Sequence, residues 1–210
     1  AFQGPVDRRD RRIMAKKKKT WPATRLETER LILKPISPFQ FARQTFYWTT
    51  DKQALADLNM PPSGWTFLKW WKQLRKLNRK KRMTHGIWPK GQDKQIGLHM
   101  VSFPPPAGEA ITAIFIGDKA WRGKAIAVEV KQAVIADLFG RCGVYRVTSW
   151  VNARNFASLH MTMRLGFKQE AQMREQAVLL DGSRADFLGF GMLRREWNTG
   201  GDEPVTKDDI

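Results

Sequence analysis

The stretch from Ile114 to Phe167 constrains this chain more than any other. An apolar run, Ile114-Phe115-Ile116, ends at Gly117, as a strand bounded by a breaker does. The small-residue loop Arg122-Gly123-Lys124-Ala125-Ile126-Ala127 then opens directly into a helical pattern over 126–139, stopped by Gly140. A second strand pattern over 144–152 leads to Asn155 and Ser158, and a helix over 156–165 stops at Gly166. Strand, loop, helix, strand in this form is a site for an anionic phosphate ligand. The first amides of a helix have no partner, and its dipole favours negative charge there.

The flanks supply the rest of one domain. Leu31 to Leu33 reads as a strand, and Ser37-Pro38 as a helix start with a capping side chain and Pro in the first turn. Thr50-Asp51 opens a short helix, and Pro61-Pro62-Ser63 breaks the chain and caps a longer one. In that longer helix Phe67, Trp70, Trp71, Leu74 and Leu77 recur at helical spacing, which marks a core-facing stripe. Strand patterns follow near 84–89 and 95–103, joined by a polar Lys90–Lys94 turn, and the central strand is expected over 109–117. Asp181-Gly182 between two apolar segments signals a hairpin.

The ordered set resembles the GNAT acetyltransferase superfamily, and within it the RimJ/RimL-type N-acetyltransferases. The residues that carry the likeness are Thr28-Glu29-Arg30-Leu31, the loop Arg122-x-x-Ala125-x-Ala127, Asn155-x-x-Ser158, Leu165-Gly166-Phe167, and Arg174, Asp186 and Glu196-Trp197. Together they span about residues 26–198. The resemblance implies a mixed α+β GNAT fold, a splayed and mostly antiparallel sheet flanked by helices. It implies acetyl-CoA as the cofactor. The amides of Gly123, Lys124, Ala125, Ile126 and Ala127 would hold the pyrophosphate, with charge from Arg122 and Lys124. The strand at Phe115, Ile116 and Gly117 would pair with the pantetheine, and Asn155 would lie against the cofactor. The family's middle glycine is Ala125 here, whose methyl crowds the ligand or costs nothing if the backbone is helical.

Acetyl transfer to an amine needs a proton donor for the departing thiolate and a neutral amine. By resemblance Ser158 is the donor; Tyr145 is a second candidate acid, though inside an apolar strand it is expected in the core. Glu109, near the start of the central strand, is the first candidate for the base, and His99 the second. An α-amine of pKa about 8 is partly neutral near pH 7.5, whereas a lysine must be deprotonated at a cost of roughly 4 kcal/mol. An inconspicuous base therefore favours an α-amine of a protein, peptide or aminoacylated molecule. A small-molecule amine acetyltransferase, or a coenzyme A- or RNA-binding module with impaired catalysis, are the alternatives.

The charge bears on the partner. The formal net charge is +17, concentrated in the first 20 residues and in 65–83, where Lys69, Lys72, Arg75, Lys76, Arg79, Lys80, Lys81 and Arg82 meet no acidic residue. Such a field attracts polyanions, so RNA or a ribosomal particle is an expected partner, and cationic polyamines fit poorly. Residues 1–24 are expected to be a disordered basic tail: Phe2-Gln3-Gly4-Pro5 reads as a protease-site remnant, Met14 as a native start, and Lys16 to Lys19 as a basic arm. The domain is expected over 25–198, followed by an acidic tail over 199–210. The single Cys142 excludes an internal disulfide and suits a reducing cytoplasm. His85, His99 and His160 have no metal-ligand spacing. With no apolar run of about 18 residues, no membrane span is expected. Monomer and homodimer are both open.

Overall fold

A computed structural model describes residues 23–57, 60, 63–77, 82–104 and 108–197. The Lys16 to Lys19 arm, Pro61-Pro62, Arg79 to Lys81 and the acidic tail lie outside the described residues. The chain opens on a short hairpin, β1 (Leu26–Glu27) and β2 (Leu31–Pro35), followed by α1 (Pro38–Thr45), a tight helical turn over Phe46–Thr50, α2 (Lys52–Asp57) and α3 (Phe67–Leu77). Three strands come next, β3 (Arg82–Pro89), β4 (Gly97–Ser102) and β5 (Glu109–Ile116). They lead through α4 (Ile126–Phe139), β6 (Arg146–Asn152) and α5 (Phe156–Arg164) to the long hairpin β7 (Lys168–Val178) and β8 (Arg184–Leu193), closed by α6 (Arg194–Trp197).

The strands form one eight-stranded sheet in the order β1-β2-β3-β4-β5-β6-β8-β7. Every neighbouring pair is antiparallel except β5 and β6. Strand alternation sends successive side chains to opposite faces, and each face has its own core. On one, Val130, Val134 and Leu138 of α4 pack with Leu33, Ile87, Val101 and Val147, and Met161 of α5 and Leu165 just after it join them. On the other, Phe41 of α1 and Trp70 and Leu74 of α3 pack with Leu98, Phe115 and Trp48. Each such side chain, fully buried, contributes about 1.5–3 kcal/mol.

The expected stripe on α3 is present: Trp70 and Leu74 are buried, Phe67 and Trp71 half-buried, and Lys69, Lys72, Arg75 and Lys76 exposed. The Trp70 indole donates to Thr45 Oγ1 at 3.1 Å, which satisfies its buried N–H. Two expected caps are corrected. Thr66, not Ser63, caps α3, its hydroxyl accepting the Lys69 N–H at 3.3 Å. Ser37 precedes α1 without a side-chain cap bond, and Pro38 alone shapes that first turn. Tyr145 is also corrected. It precedes β6, is 59% exposed, and its hydroxyl accepts from Arg195. Cys142 is buried in the turn between α4 and β6, as a small apolar residue would be.

Candidate active site at the split between β5 and β6

The two parallel strands pair through only three positions, Glu109 to Ile111 against Arg146 to Thr148. Beyond Ile111, β5 keeps β4 along one edge through Ile116 but, among the described residues, has no strand on the other. The sheet therefore opens, and the main chain from Thr112 onward presents an unpartnered edge to the opening. The far end of β5 is held from outside the sheet. Arg122 donates to the carbonyls of Ile116 (2.8 Å) and Gly117 (3.2 Å) and pairs with Asp51, at the start of α2, at 2.8 Å. Gly117 is required there, because a Cβ would lie 2.1 Å from the Trp48 ring.

This geometry changes two expectations. The Arg122 guanidinium is committed to Asp51 and to two carbonyls, so it organises the loop and does not offer its charge outward. The same bonds occupy the carbonyls of Ile116 and Gly117, so the edge open for pairing lies upstream, from Thr112 to Phe115. Phe115 turns its ring into the aromatic cluster, 5.4 Å from Trp48.

The loop before α4 carries two residues in the left-handed region, Gly123 at φ 74° and Ala125 at φ 57°. Ala125 is therefore not helical. Its methyl carries about 1–2 kcal/mol of backbone strain, which a glycine would escape. Alternation of left- and right-handed residues folds successive amides towards a common point, an anion-binding concavity. Among the described residues the N–H groups of Gly123 through Val128 have no acceptor. Those unpaired amides, at a helix N-terminus beside an open strand edge, fit the pyrophosphate of coenzyme A. The one acidic residue of the first turn, Glu129, is neutralised by Arg30, which pairs with it at 2.6 Å and also donates to the Lys124 carbonyl at 3.2 Å. The Lys124 ammonium lies over the Trp121 ring.

Two parallel strands end on the same side of a sheet, so α5 begins at the open end of the split, as α4 does. Asn155 caps α5, its Oδ1 accepting the Ser158 N–H at 3.1 Å. Asn155 and Ser158 are both half-buried. Glu109 stands at the closed end. Its Oε1 accepts from Thr148 Oγ1 at 2.6 Å and lies 3.9 Å from Arg146 Nε, and Arg146 is itself paired with Glu170. The Trp150 ring, two residues beyond Thr148, stacks on Phe187 with centroids 5.9 Å apart.

Glu109, Ile111, Ala113 and Phe115 alternate onto the α1–α3 face of β5. There a cavity of about 270 Å³ opens between α3 and the β4–β5 pair. His99 is on the opposite face, fully buried between His85 and α4, and it does not reach this cavity. Among the described residues neither ring nitrogen of His99 has a partner, and burial first, then the charges of His85 and Lys131, pushes its pKa well below the ordinary value. Lys131 of α4 is buried beside it. Its Nζ donates to Ser149 Oγ at 3.0 Å, and burial lowers its pKa to about 8. The expectation of His99 as an alternative base is thereby corrected.

Arg30, Asp51, Thr148 and Lys131 are the residues that sequence reasoning overlooked. Arg30 stood inside the Thr28-Glu29-Arg30 run, whose pairing with Glu129 spans 99 positions.

The sheet is thus splayed with one short parallel pair, a loop of unpaired amides opens a helix at its mouth, and a cavity lies on the α1–α3 face. The chain matches the acetyltransferase (GNAT) domain family over residues 30–168 and belongs to it. It is an N-acetyltransferase that uses acetyl-CoA. Solved structures share the fold. A probable GNAT-family acetyltransferase from Chromobacterium violaceum is 20% identical, with a TM-score of 0.73 over 95% of this chain and 98% of that one. RimL, a ribosomal L7/L12 alpha-N-protein acetyltransferase solved with coenzyme A, is 17% identical, with a TM-score of 0.72 over 81% and 98%. Spermidine N-acetyltransferase from Vibrio cholerae, solved with CoA and spermine, is 15% identical, with a TM-score of 0.72 over 82% and 100%. Among the described residues no helix is long and apolar enough to cross a membrane, and no three His, Cys, Asp or Glu residues cluster as a metal site.

Proposed function

We propose that the protein acetylates an α-amine carried by a protein, peptide or aminoacylated molecule. The observation that carries this reading is the composition of the cavity between α3 and the β4–β5 pair: among the described residues none of its lining residues is acidic, and the one charged residue is Arg82. A polyamine or a lysine side chain brings a cation that such a cavity does not neutralise. An α-amine of pKa about 8 loses its proton near neutral pH with little help, whereas a lysine needs roughly 4 kcal/mol.

When bound, acetyl-CoA supplies an acetyl group activated as a thioester. The amides of Gly123 to Ala127 would hold its pyrophosphate, with Lys124 adding charge and Arg122 fixing the loop. The open edge of β5 from Thr112 to Phe115 would pair with the pantetheine. Asn155 fixes the first turn of α5, and the Ser158 hydroxyl would protonate the sulfur as the amine nitrogen bonds the acetyl carbon and the carbon–sulfur bond breaks. Glu109, oriented by Thr148, accepts the proton of the amine.

The exposed Lys69, Lys72, Arg75 and Lys76 lie on the outer side of the helix that walls the cavity. A polyanionic carrier of the amine, such as RNA or a ribosomal particle, would be drawn to that side. Among the structural neighbours, RimL is named as acting on a protein α-amine and the Vibrio enzyme on spermidine; the cavity chemistry favours the first kind of acceptor.

The test pairs calorimetry with thiol release. Acetyl-CoA binds the parent, and Ala125→Glu, which puts a carboxylate in the loop, abolishes binding. Turnover is expected on peptide α-amines and not on spermidine or Nα-blocked lysine. Faster turnover of spermidine or blocked lysine than of any α-amine would refute the reading.

A further inference from the structure

The cavity is more specific than a general entry for amines. Its floor is the face formed by Leu98 and Met100 of β4 and Ile111, Ala113 and Phe115 of β5, and its wall is Trp70 and Leu74 of α3. Among the described residues the polar side chains on the lining are Gln73, Arg82 and Ser102. Arg82 is exposed and Ser102 half-buried, and both lie at the strand ends where β3 and β4 pair, Arg82 opposite Ser102. An apolar chamber with a polar rim on one side thus begins at Ile111, one same-face position along β5 from Glu109.

From this we infer that the cavity receives the side chain of the acetylated residue, and that the preferred acceptor is an α-amine whose own side chain is large and apolar. The inference rests on the α-amine reading and adds the side chain. Three observations carry it. Glu109 and the floor residues Ile111 and Ala113 alternate on one face of one strand, so an amine at Glu109 puts its α-carbon next to the floor. At about 270 Å³ the chamber exceeds the roughly 150 Å³ apolar cavity that admits a benzene, so it holds a leucine, methionine or phenylalanine side chain. Ala113 is exposed at the floor and leaves apolar surface that such a side chain would cover. Gln73, Ser102 and Arg82 then face the carbonyl or carboxylate beyond the α-carbon.

The consequence is a side-chain preference among α-amines. Each methylene recognised in an apolar pocket changes kcat/KM by roughly 10- to 200-fold, so a leucine peptide should exceed its glycine counterpart at least 10-fold. The experiment measures acetyl-CoA-dependent thiol release on matched peptides beginning with Gly, Ser, Leu, Met or Phe. Free leucine and leucinamide serve as further arms. The expected order is Leu, Met and Phe above Ser and Gly. Free leucine outperforming leucinamide and the Leu peptide would identify a free amino acid whose carboxylate meets Arg82; the reverse would identify a chain terminus. Met100→Trp, which fills the chamber from the floor, should bring the Leu-to-Gly ratio close to one. Ser102→Leu, at the rim, is the second filling variant if Met100→Trp melts below the assay temperature. Equal kcat/KM for Gly and Leu peptides, or an unaltered Leu-to-Gly ratio in a folded filling variant, overturns the side-chain assignment while leaving the α-amine reading intact. Preference for spermidine or a lysine side chain overturns both.

Discussion

Lys131→Met probes the electrostatics beneath the split. The lysine is fully buried on α4, its Nζ hydrogen-bonded to Ser149 and 5.5 Å from the centroid of the Phe167 ring. Burial lowers its pKa from 10.5 to about 8. At 1.36 kcal/mol per pK unit, that gap corresponds to a penalty of about 3 kcal/mol on the folded state at neutral pH. Below pH 8 both folded and unfolded chains hold the proton and the penalty is complete. Between about 8 and 10.5 the unfolded chain keeps a proton that the folded chain has lost, so stability rises with pH in that window. Methionine fills a similar volume without a charge and forfeits one hydrogen bond, worth about 1 kcal/mol. The variant should therefore be more stable by about 2 kcal/mol at pH 7, and the advantage should disappear by about pH 10. Urea unfolding of both proteins at pH 7, 8, 9 and 10 reads this directly. All other residues are common to both proteins, so the difference between the two stability curves reads the change at Lys131. A difference that does not change with pH, or a variant less stable than the parent at pH 7, refutes the reasoning.

Gly117→Ala pushes a methyl into the Trp48 ring and should cost about 1–3 kcal/mol, seen as a Tm lower by several degrees, with weaker acetyl-CoA binding because the end of β5 shifts; an unchanged Tm would count against the close approach. Ala125→Gly relieves left-handed strain of about 1–2 kcal/mol at an entropic cost of about 0.5–1 kcal/mol. It should leave the protein equal or slightly more stable by calorimetry, and acetyl-CoA affinity should not fall; destabilisation beyond 1 kcal/mol would contradict the φ of 57°. Ser158→Ala should lower kcat roughly 10²-fold or more without changing acetyl-CoA affinity, since the bond to Asn155 comes from the main chain and survives. Glu109→Gln should flatten the rise of rate with pH, and an unchanged profile would remove Glu109 from the proton transfer.

Local chemistry was sufficient for much of this chain. The helix over 126–139 with its stop at Gly140, the stripe on α3 and the Asp181-Gly182 turn agree with the observed elements, because periodicity and breakers act over a few residues. The ordered motifs also led to the family and the cofactor. Short-range signals failed where two local candidates competed, as when Thr66 rather than Ser63 capped α3. Other features depended on residues far apart in sequence. Nothing near Arg122 indicates that its charge is spent on Asp51, 71 positions away, and nothing near Ala125 fixes its left-handed backbone. His99 reads as a strand histidine with either face available. Only the register of β3, β4 and β5 sends it to the α4 side and Glu109 to the α1–α3 side, because a shift of one residue exchanges the faces. The cavity is likewise a tertiary product. Its lining comes from α3, β3, β4 and β5 and the segment at Met60, and its volume is the space their packing leaves unfilled. The sequence alone thus determined the elements, the loop and the class of reaction. The tertiary structure decided which charges are spent inside the fold, which face each candidate occupies, and what lines the cavity between α3 and the β4–β5 pair.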